Sequence, residues 1–438
     1  MTAIAAVLFA LFIGFLYPMF GVAGYLLAIT VASKTIGMAH LDTDVVSVSD
    51  AFLVSSLISL SRPAIGRMWH GRCFSPGLMY SLLWLLSVMV VVAGMLSPVP
   101  IKIPLFEALW FGPLVLSLYQ LDRDKAKQLL YVVVGVSACI GGLATLLGTN
   151  SFSWLASHVQ VQLQTVTSGA TTEEANARVI LPGIWTITPF GFWVAVGLLA
   201  AGGVSPRMKY LLSLSVALIL LGLMVNYSRS VAVPFVLGPL ALVVIAAGFR
   251  HDASAKRALL IMGSLILVGA VLIAARPTVR QNWAEKFFGA KRQGTIDARV
   301  QASSYLYQEL KSKGEILGAA PTVDLREITR LGDPLAPLIV WQKLGIAGMV
   351  LFMLVALGVP LIAIWRTFNS LRRYRRIGTS DIVTIGYTFY FAAVLLSGFY
   401  FSLDMLFPLV TWYWITCLPA EEPTTLPLAL PAVEATPA

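Results

Sequence analysis

Charged residues are scarce in this chain of 438 residues, where they make up 12% of the total, against about 25% in soluble domains. Hydrophobic residues make up 58%, and the mean hydropathy is +0.82. This composition excludes a soluble globular protein. Runs such as 211–225 and 231–247 lack the alternation of polar and apolar residues that marks strands of a membrane barrel. We therefore predict an all-α polytopic membrane protein, whose helices satisfy their own backbone hydrogen bonds in lipid.

Cysteine and histidine are rare as well, with three and four residues, and the cysteines show no metal-ligand spacing. The motifs G-x-x-x-x-G-K-[ST], G-x-S-x-G and H-E-x-x-H are all missing. We therefore expect no metal, no cofactor and no ATP-dependent chemistry. A site on the outer side of a membrane would then use a substrate that is already activated, or would only move one.

We expect no cleavable signal, because the first apolar run, Ala3–Ala32, has no basic residues before it and is longer than the apolar core of a signal peptide. Neither a 20–50-residue repeat nor the inverted symmetry of many transporters is visible. The net charge of +10 predicts no nucleic-acid partner, because the basic residues lie beside the ends of apolar runs.

About twelve membrane spans are predicted, each from an apolar run near the length that a bilayer requires. They lie near 3–32, 47–61, 78–96, 104–120, 128–148, 184–202, 209–225, 231–249, 257–275, 337–365, 381–400 and 403–418. The chain thus divides into a first helix group (1–275), a large loop (276–336), three last spans (337–418) and a tail (419–438) whose composition predicts disorder.

Basic residues concentrate in alternate joints between these spans: Arg62, Arg67 and Arg72; Arg123, Lys125 and Lys127; Arg207 and Lys209; Arg250, Lys256 and Arg257; Arg366, Arg372, Arg373, Arg375 and Arg376. The predicted spans place all of these joints on one side, which the positive-inside tendency makes cytoplasmic. Both termini are then cytoplasmic. The loops at 149–183 and 276–336 face outward, as does the joint Asn226–Ser230.

The large outer loop is the most polar part of the chain, with ten Lys/Arg and seven Asp/Glu between Arg276 and Leu335. Within it, 301–311 has the pattern of an amphipathic helix. Arg299, just before that pattern, could form a structural pair with Asp297 that caps the helix. Alternatively, Arg299 points back into a cavity of the membrane domain.

Arg229 lies in the tight outer joint, in the sequence Asn-Tyr-Ser-Arg-Ser. It could extend to lipid headgroups or form a salt bridge within the bundle. The alternative is anion capture, because a guanidinium presents a fixed fork of donors that fits phosphate oxygens.

The order of these features resembles the O-antigen polymerase/ligase family of bacterial surface polysaccharide assembly. Three pieces carry the resemblance between Arg178 and Leu361: an outer joint with an arginine, an arginine-bearing segment of the large loop, and the start of the next span. Their residues are Ser228, Arg229 and Ser230; Arg299, Tyr307, Leu310, Lys313, Leu317 and Gly318; and Asp333, Leu338, Lys343, Gly345 and Gly348. Arg178 resembles the arginine that ends the earlier outer loop of this family.

The resemblance implies a glycosyltransferase of the bacterial inner membrane that needs no metal or cofactor. Its donor would be a glycan on undecaprenyl pyrophosphate, and a chain-length regulator and a flippase would be possible partners. Arg178, Arg229 and Arg299 would bind the pyrophosphate, and Arg229 and Arg299 would also stabilise the charge that develops as it leaves.

One position departs from the family pattern. Ligases of the family usually carry a histidine near the start of the span after the large loop, and here that place holds Asp333. Asp333 could be the catalytic base, or it could be the N-cap of a helix that starts at Pro334. His158 in the other outer loop is an alternative base. The departure favours a repeat-unit polymerase over a ligase, with a flippase or exporter of the same glycolipid as a third possibility.

Overall fold

The computed structural model describes the helical core of the chain and two short strands. The described residues are 8, 11, 12, 55, 82, 85, 86, 89, 123–148, 162–164, 178–180, 187–225, 229–249, 252–275, 291–313, 316, 335–396, 408, 409, 411–413, 415 and 416. The spans predicted before residue 121 therefore lie almost entirely outside the described residues, so the predicted total of spans is not tested.

Eight helices make up most of the described residues. They are α1 (Arg123–Gly148), α2 (Ile187–Ala201), α3 (Pro206–Val225), α4 (Arg229–Gly248), α5 (Ala253–Ala275), α6 (Lys291–Lys313), α7 (Ala336–Tyr374) and α8 (Thr379–Leu396). All of them except α6 coincide with predicted spans, because each apolar run is long enough for a helix and polar residues separate the runs. The predicted helical class is confirmed for these residues.

Among the described residues, three stretches are both long and apolar enough to cross a membrane: Leu129–Leu146, Pro206–Met224 and Leu344–Tyr374. The apolar helices Ile187–Ala201 and Leu237–Gly248 are shorter. These helices support membrane association. A short α2 is consistent with a helix that lies among others, where neighbouring protein rather than lipid surrounds its ends.

α2 is the central helix of the described bundle. Every residue from Ile187 to Gly197 is buried, and α2 packs against α1, α3, α5 and α8. A helix that is apolar on all faces has to be enclosed by other helices or lipid. The continuous apolar sequence of α2 thus accounts for its central place.

Small residues allow these helices to approach closely, as is common where helices pack in lipid. At the crossing of α1 and α3, a Cβ atom added to Gly141 would lie 2.6 Å from the carbonyl oxygen of Leu218. Gly238 of α4 and Gly386 of α8 leave room for the indole ring of Trp193. Trp193 has no exposed surface, so it fills the junction of α2, α4 and α8.

Helices α1 and α2, which follow one another in the chain, run antiparallel. The hydroxyl of Ser137 in α1 donates to the carbonyl of Ile187 at 3.1 Å, and Gly191 packs against both Ser137 and Val133. Residue numbers thus rise along α2 as they fall along α1 through these contacts, so the two helices are antiparallel. Short joints then alternate the direction through α3, α4 and α5, and again between α7 and α8.

The alternation defines two ends of the bundle. At one end, called here the basic end, α1, α3, α5 and α8 begin and α2, α4 and α7 end. The opposite end is called the loop end. The basic residues predicted to share a side, in the described helices α1, α3, α5 and α7, all fall at the basic end. That part of the predicted topology is confirmed as a shared end of the bundle.

Hydrogen bonds link the joints at the basic end to one another. Arg257 donates to the carbonyl of Ala201 at 3.2 Å. The backbone N–H of Ile377 donates to the Asp252 carboxylate at 3.0 Å. The hydroxyl of Thr379 donates to the carbonyl of Gly197 at 3.3 Å. These bonds connect α2, α5 and α8 directly.

Two further groups extend this network. Arg366 in the last part of α7 donates to the carbonyl of Thr416 at 2.8 Å, which places Thr416 near the basic end. The carboxylate of Asp381 is buried and accepts from the N–H of Gly378 at 2.9 Å, as well as from the hydroxyls of Thr367 and Ser370. Among the described residues, Asp381 is the only buried charged one.

Replacement of Asp252 by alanine is expected to lower the free energy of unfolding by about 1–2 kcal/mol. The carboxylate accepts from Ala255 at the start of α5, at 3.3 Å, and from Ile377 of the other joint. Titration with SDS in mixed micelles measures the loss. Ser205→Ala is the matched control, because Ser205 caps only its own helix through Met208. Equal losses in the two variants would contradict a link between the joints.

A small antiparallel sheet was not predicted. β1 (Gln162–Gln164) pairs with β2 (Arg178–Ile180), with Gln162 opposite Ile180 and Gln164 opposite Arg178. The all-α expectation is therefore incomplete in the 149–183 loop. Outside a helix, the pairing of the two segments satisfies backbone groups that would otherwise lack partners.

Candidate functional site

The site is built at the loop end, where α6 docks on the first part of α7. Three buried side chains of α6 form a separate apolar cluster with two partly buried side chains of α7: Ala302, Leu306 and Leu310 with Leu338 and Trp341. The rings of Tyr307 and Trp341 meet edge to face, with centroids 6.2 Å apart. The predicted amphipathic helix is confirmed, and it begins ten residues earlier than its pattern indicated, at Lys291.

Arg299 lies on the docking face of α6. It precedes Ala302, Leu306 and Leu310 by three, seven and eleven residues, a spacing that puts all four on one side of a helix. Arg299 is half-buried, whereas Asp297 is exposed. Arg299 thus belongs to the side of α6 that packs on α7.

The alternative role of Arg299 and Asp297 as a helix cap is wrong. Both residues lie inside α6, because the helix begins six positions before Asp297. Residues two apart in a helix also do not face each other. The pattern misled because the apolar spacing starts only at Ala302, although the helix starts earlier.

Asp333 lies outside the described residues, but the start of the following helix is described. The N-cap of α7 is Leu335, which has no side-chain cap, and a proline follows in the first turn. The predicted N-cap role of Asp333 is therefore wrong. Instead, the N–H of Leu335 donates to the hydroxyl of Ser303 at 3.1 Å. Ser303 follows Arg299 by one helical turn, which ties the chain next to Asp333 to the α6 helix that carries Arg299.

Gly345 breaks α7 close to this docking site. Its dihedral angles are φ 78° and ψ 177°, a conformation essentially restricted to glycine. Beyond the break, the N–H of Ala347 donates to the carbonyl of Ile316 in the large loop, at 3.2 Å. The glycine of the sequence motif therefore separates an outer segment, 336–344, from the longer part of α7, and the large loop binds at the break.

The other two predicted arginines are each the first residue of an element. Arg229 is the first residue of α4, and Arg178 is the first residue of β2, which lies near α1. For both, the structure describes the backbone. α4 begins at the loop end and β2 precedes the start of α2, so Arg178, Arg229 and Arg299 share the end opposite the basic joints.

His158, the alternative base, lies outside the described residues. Within the described ranges, no three His, Cys, Asp or Glu side chains are grouped as ligands for a metal ion. Among the described residues, the polar groups at this place include the half-buried Arg299, the hydroxyl of Ser303, the buried Gln342 and the backbone at the Gly345 break. A guanidinium is suited to hold an anion such as a phosphate.

Comparisons with known proteins add no assignment. No family model, curated protein or solved structure matches the chain.

Proposed function

We propose that this protein is a membrane glycosyltransferase that polymerises oligosaccharide repeat units carried on undecaprenyl pyrophosphate. It would act on the outer face of the bacterial inner membrane, in the synthesis of a surface polysaccharide or exopolysaccharide. The observation that supports this most is the common end of Arg178, Arg229 and Arg299, opposite the end that holds the basic joints. That end would be periplasmic by the positive-inside tendency.

In the proposed reaction, a hydroxyl of the acceptor sugar attacks the anomeric carbon of the donor glycan. The new glycosidic bond forms as the bond to the pyrophosphate oxygen breaks, and undecaprenyl pyrophosphate leaves with the electron pair. The arginines would stabilise the negative charge that grows on the leaving oxygen. The donor is already activated, so the reaction requires no ATP. Inversion at the anomeric carbon is the expectation from the family.

Asp333 is the proposed base that accepts the proton of the acceptor hydroxyl. Leu335 supports this role, because its N–H is bound to Ser303, one turn from the proposed pyrophosphate ligand Arg299. A carboxylate has an ordinary pKa near 4 and is a weaker base than histidine. The acceptor proton would therefore be transferred late, as the leaving group departs.

Two other functions fit parts of the pattern. A ligase of the same family would transfer finished polymer to an acceptor lipid, so its loss would leave long polymer on the carrier. A flippase or exporter of the glycolipid would need charged residues along a path within the spans, and the only buried charge of the described residues, Asp381, lies at the basic end. Polymerase is thus the better-supported choice.

The experiment that tests the function uses the purified protein in detergent with a carrier-linked repeat unit. A polymerase extends the repeat into a ladder of longer products without ATP or metal, and gel electrophoresis resolves that ladder. If the repeat is moved across liposome membranes but never extended, the protein is a transporter. If polymer already made is passed to a second lipid, it is a ligase.

Gly345→Ala is expected to reduce elongation by about tenfold or more, because alanine strains the break in α7 at a cost of about 1–3 kcal/mol. Straightening α7 would shift the outer segment on which α6 docks. Gly263→Ala in α5 is the matched control, since its added Cβ atom meets open space. Elongation rates of the two purified variants make the comparison. Equal elongation rates in the two variants would mean that the break at Gly345 is not needed for activity.

A further inference from the structure

The exposed face of α7 carries apolar, then aromatic, then arginine side chains along the helix. These types follow the order from the centre of a bilayer to its headgroups. Large apolar side chains recur at the spacing of one helix face: Val350, Leu354, Leu357, Leu361 and Ile364. A stripe of this kind faces lipid in a membrane helix. It runs from just after the Gly345 break towards the basic end.

Two aromatic side chains follow on the same face. Trp365 is 65% exposed and Phe368 is 58% exposed. The helix rises about 28 Å between Ile346 and Trp365, close to the ~30 Å thickness of a hydrocarbon core. A helix that crosses the bilayer from Ile346 onwards would place Trp365 and Phe368 where the hydrocarbon ends, and aromatic rings are enriched at that level.

Exposed guanidinium groups come next. Arg372 lies one turn beyond Phe368 on the same face, and Arg373, Arg375 and Arg376 are exposed around it. We call these four residues the arginine cluster. No acidic residue lies between Arg366 and Arg376. The cluster is about 6 Å further along the axis than the aromatic level, which is the level of lipid phosphates.

The cluster is held by a capped joint. Arg375 has a left-handed backbone (φ 49°, ψ 34°) and its N–H donates to Leu371. Glycine is the usual residue in that conformation, since a Cβ atom strains it. The next residues are bound as well, through Ile377 to Asp252 and through Gly378 to Asp381. A role in topology alone requires charge in this joint, but it does not require arginine at a strained, fixed position.

We infer that the arginine cluster binds the phosphate headgroups of anionic phospholipids in the leaflet at the basic end. Charge complementarity supports this, because basic residues directly beyond a membrane helix attract anionic lipids, and guanidinium forks fit phosphate oxygens. The lipid-facing stripe and the aromatic level lead directly to the cluster. That continuity favours a lipid over an acidic protein, which would not need an apolar surface beside the charge.

The test measures lipid binding to the full chain in detergent by native mass spectrometry. Titration with phosphatidylglycerol and with phosphatidylcholine gives the preference for the anionic headgroup. In the triple variant Arg372→Gln, Arg373→Gln and Arg376→Gln, phosphatidylglycerol is expected to bind about 100-fold more weakly, since each basic residue near a membrane surface contributes about 1 kcal/mol, or roughly fivefold in affinity. The preference over phosphatidylcholine is then lost.

The matched control removes three other exposed cations at the same end, in the variant Arg207→Gln, Lys209→Gln and Lys256→Gln. It should retain the wild-type preference. An equal loss in the control would overturn the proposal in favour of general surface charge. Retained preference in the cluster variant would overturn it outright. Soluble glycerophosphoglycerol is the third arm, and its binding as tightly as the intact lipid would indicate a site for free phosphate instead.

Two measurements keep the proposal testable if the triple variant fails to insert. The variant with lysine at the same three positions keeps the charge, and it should lose less than tenfold in affinity. The wild-type preference should also fall as NaCl rises from about 0.1 to 1 M, because the screening length shortens from about 10 Å to about 3 Å. A preference that is independent of salt would contradict electrostatic binding.

Discussion

Replacement of Arg299 by alanine is expected to lower polymer formation about 100- to 1000-fold, and Arg229→Ala should have a similar effect. This range is typical for the loss of one donor that stabilises developing charge in a transition state. Arg299 lies on the half-buried docking face of α6, where a charge acts more strongly than it does in water. Chain length on polysaccharide gels of cells, and elongation by the purified protein, give the measurement.

The controls separate charge from fold. Lys311 is an exposed cation on the same helix, so Lys311→Ala should leave polymer unchanged. Arg299→Lys should recover only part of the activity, because a point charge lacks the paired donors of a guanidinium. Normal chain length in both alanine variants would exclude the proposed pyrophosphate site. Products limited to single repeat units, with the variant protein inserted at wild-type levels, would support that site.

Trp193→Ala is expected to lower the free energy of unfolding by about 3–5 kcal/mol, as for large aromatic residues lost from a packed interior. The indole is fully buried and fills the space that Gly238 and Gly386 leave between α4 and α8. Without it, the two glycines bring no side chain of their own to fill the space. Titration with SDS in mixed micelles gives the loss.

Trp365→Ala is the matched control, because it removes the same side chain from a surface that is 65% exposed. Its effect on stability should stay within about 0.5 kcal/mol. Similar losses in both variants would mean that α2 is not the packing centre of the bundle. A large loss for Trp193 alone would support its role in joining α2, α4 and α8.

The helices were largely predictable because hydrophobic runs and helices coincide in this chain. The predicted span 184–202 compares with Ile187–Ala201, and 209–225 with Pro206–Val225. α7 differs, since it continues to Tyr374 although the apolar run ends at Trp365. Thr367 and Leu371 stay buried there while arginines cover the other face. Hydropathy therefore located the part of α7 within the membrane and not the end of the helix.

Contacts between distant segments were not predictable. Ser303, which accepts the hydrogen bond of Leu335, belongs to a polar run in which one hydroxyl is indistinguishable from the next. The pairing of β2 with β1 joins segments with short, weak strand patterns. A signal for the docking face did exist, because Arg299, Ala302, Leu306 and Leu310 follow helical spacing. The predicted amphipathic segment, 301–311, covers only the part of that pattern after residue 300.

The placement of the three arginines at one end of the bundle was predictable, because the alternation of spans fixes which joints share an end. Whether the guanidinium groups meet at one ligand was not predictable from the sequence. It depends on helix rotation and on the path of the large loop, and hydropathy carries no information about either. Gly345 illustrates this limit: the motif marked the glycine, whereas its positive φ and its bond partner Ile316 depend on the folded loop.

The hydrogen bonds between joints at the basic end restrict separation of the helices there. α2, α5 and α8 are fastened to one another there, so sideways displacement of these helices grows with distance from that fixed point. In the function proposed above, the carrier has a long isoprenoid tail and would enter from the bilayer through a gap between helices. The widest gap would form at the far end, and the lipid would slide in with its diphosphate already level with the arginines.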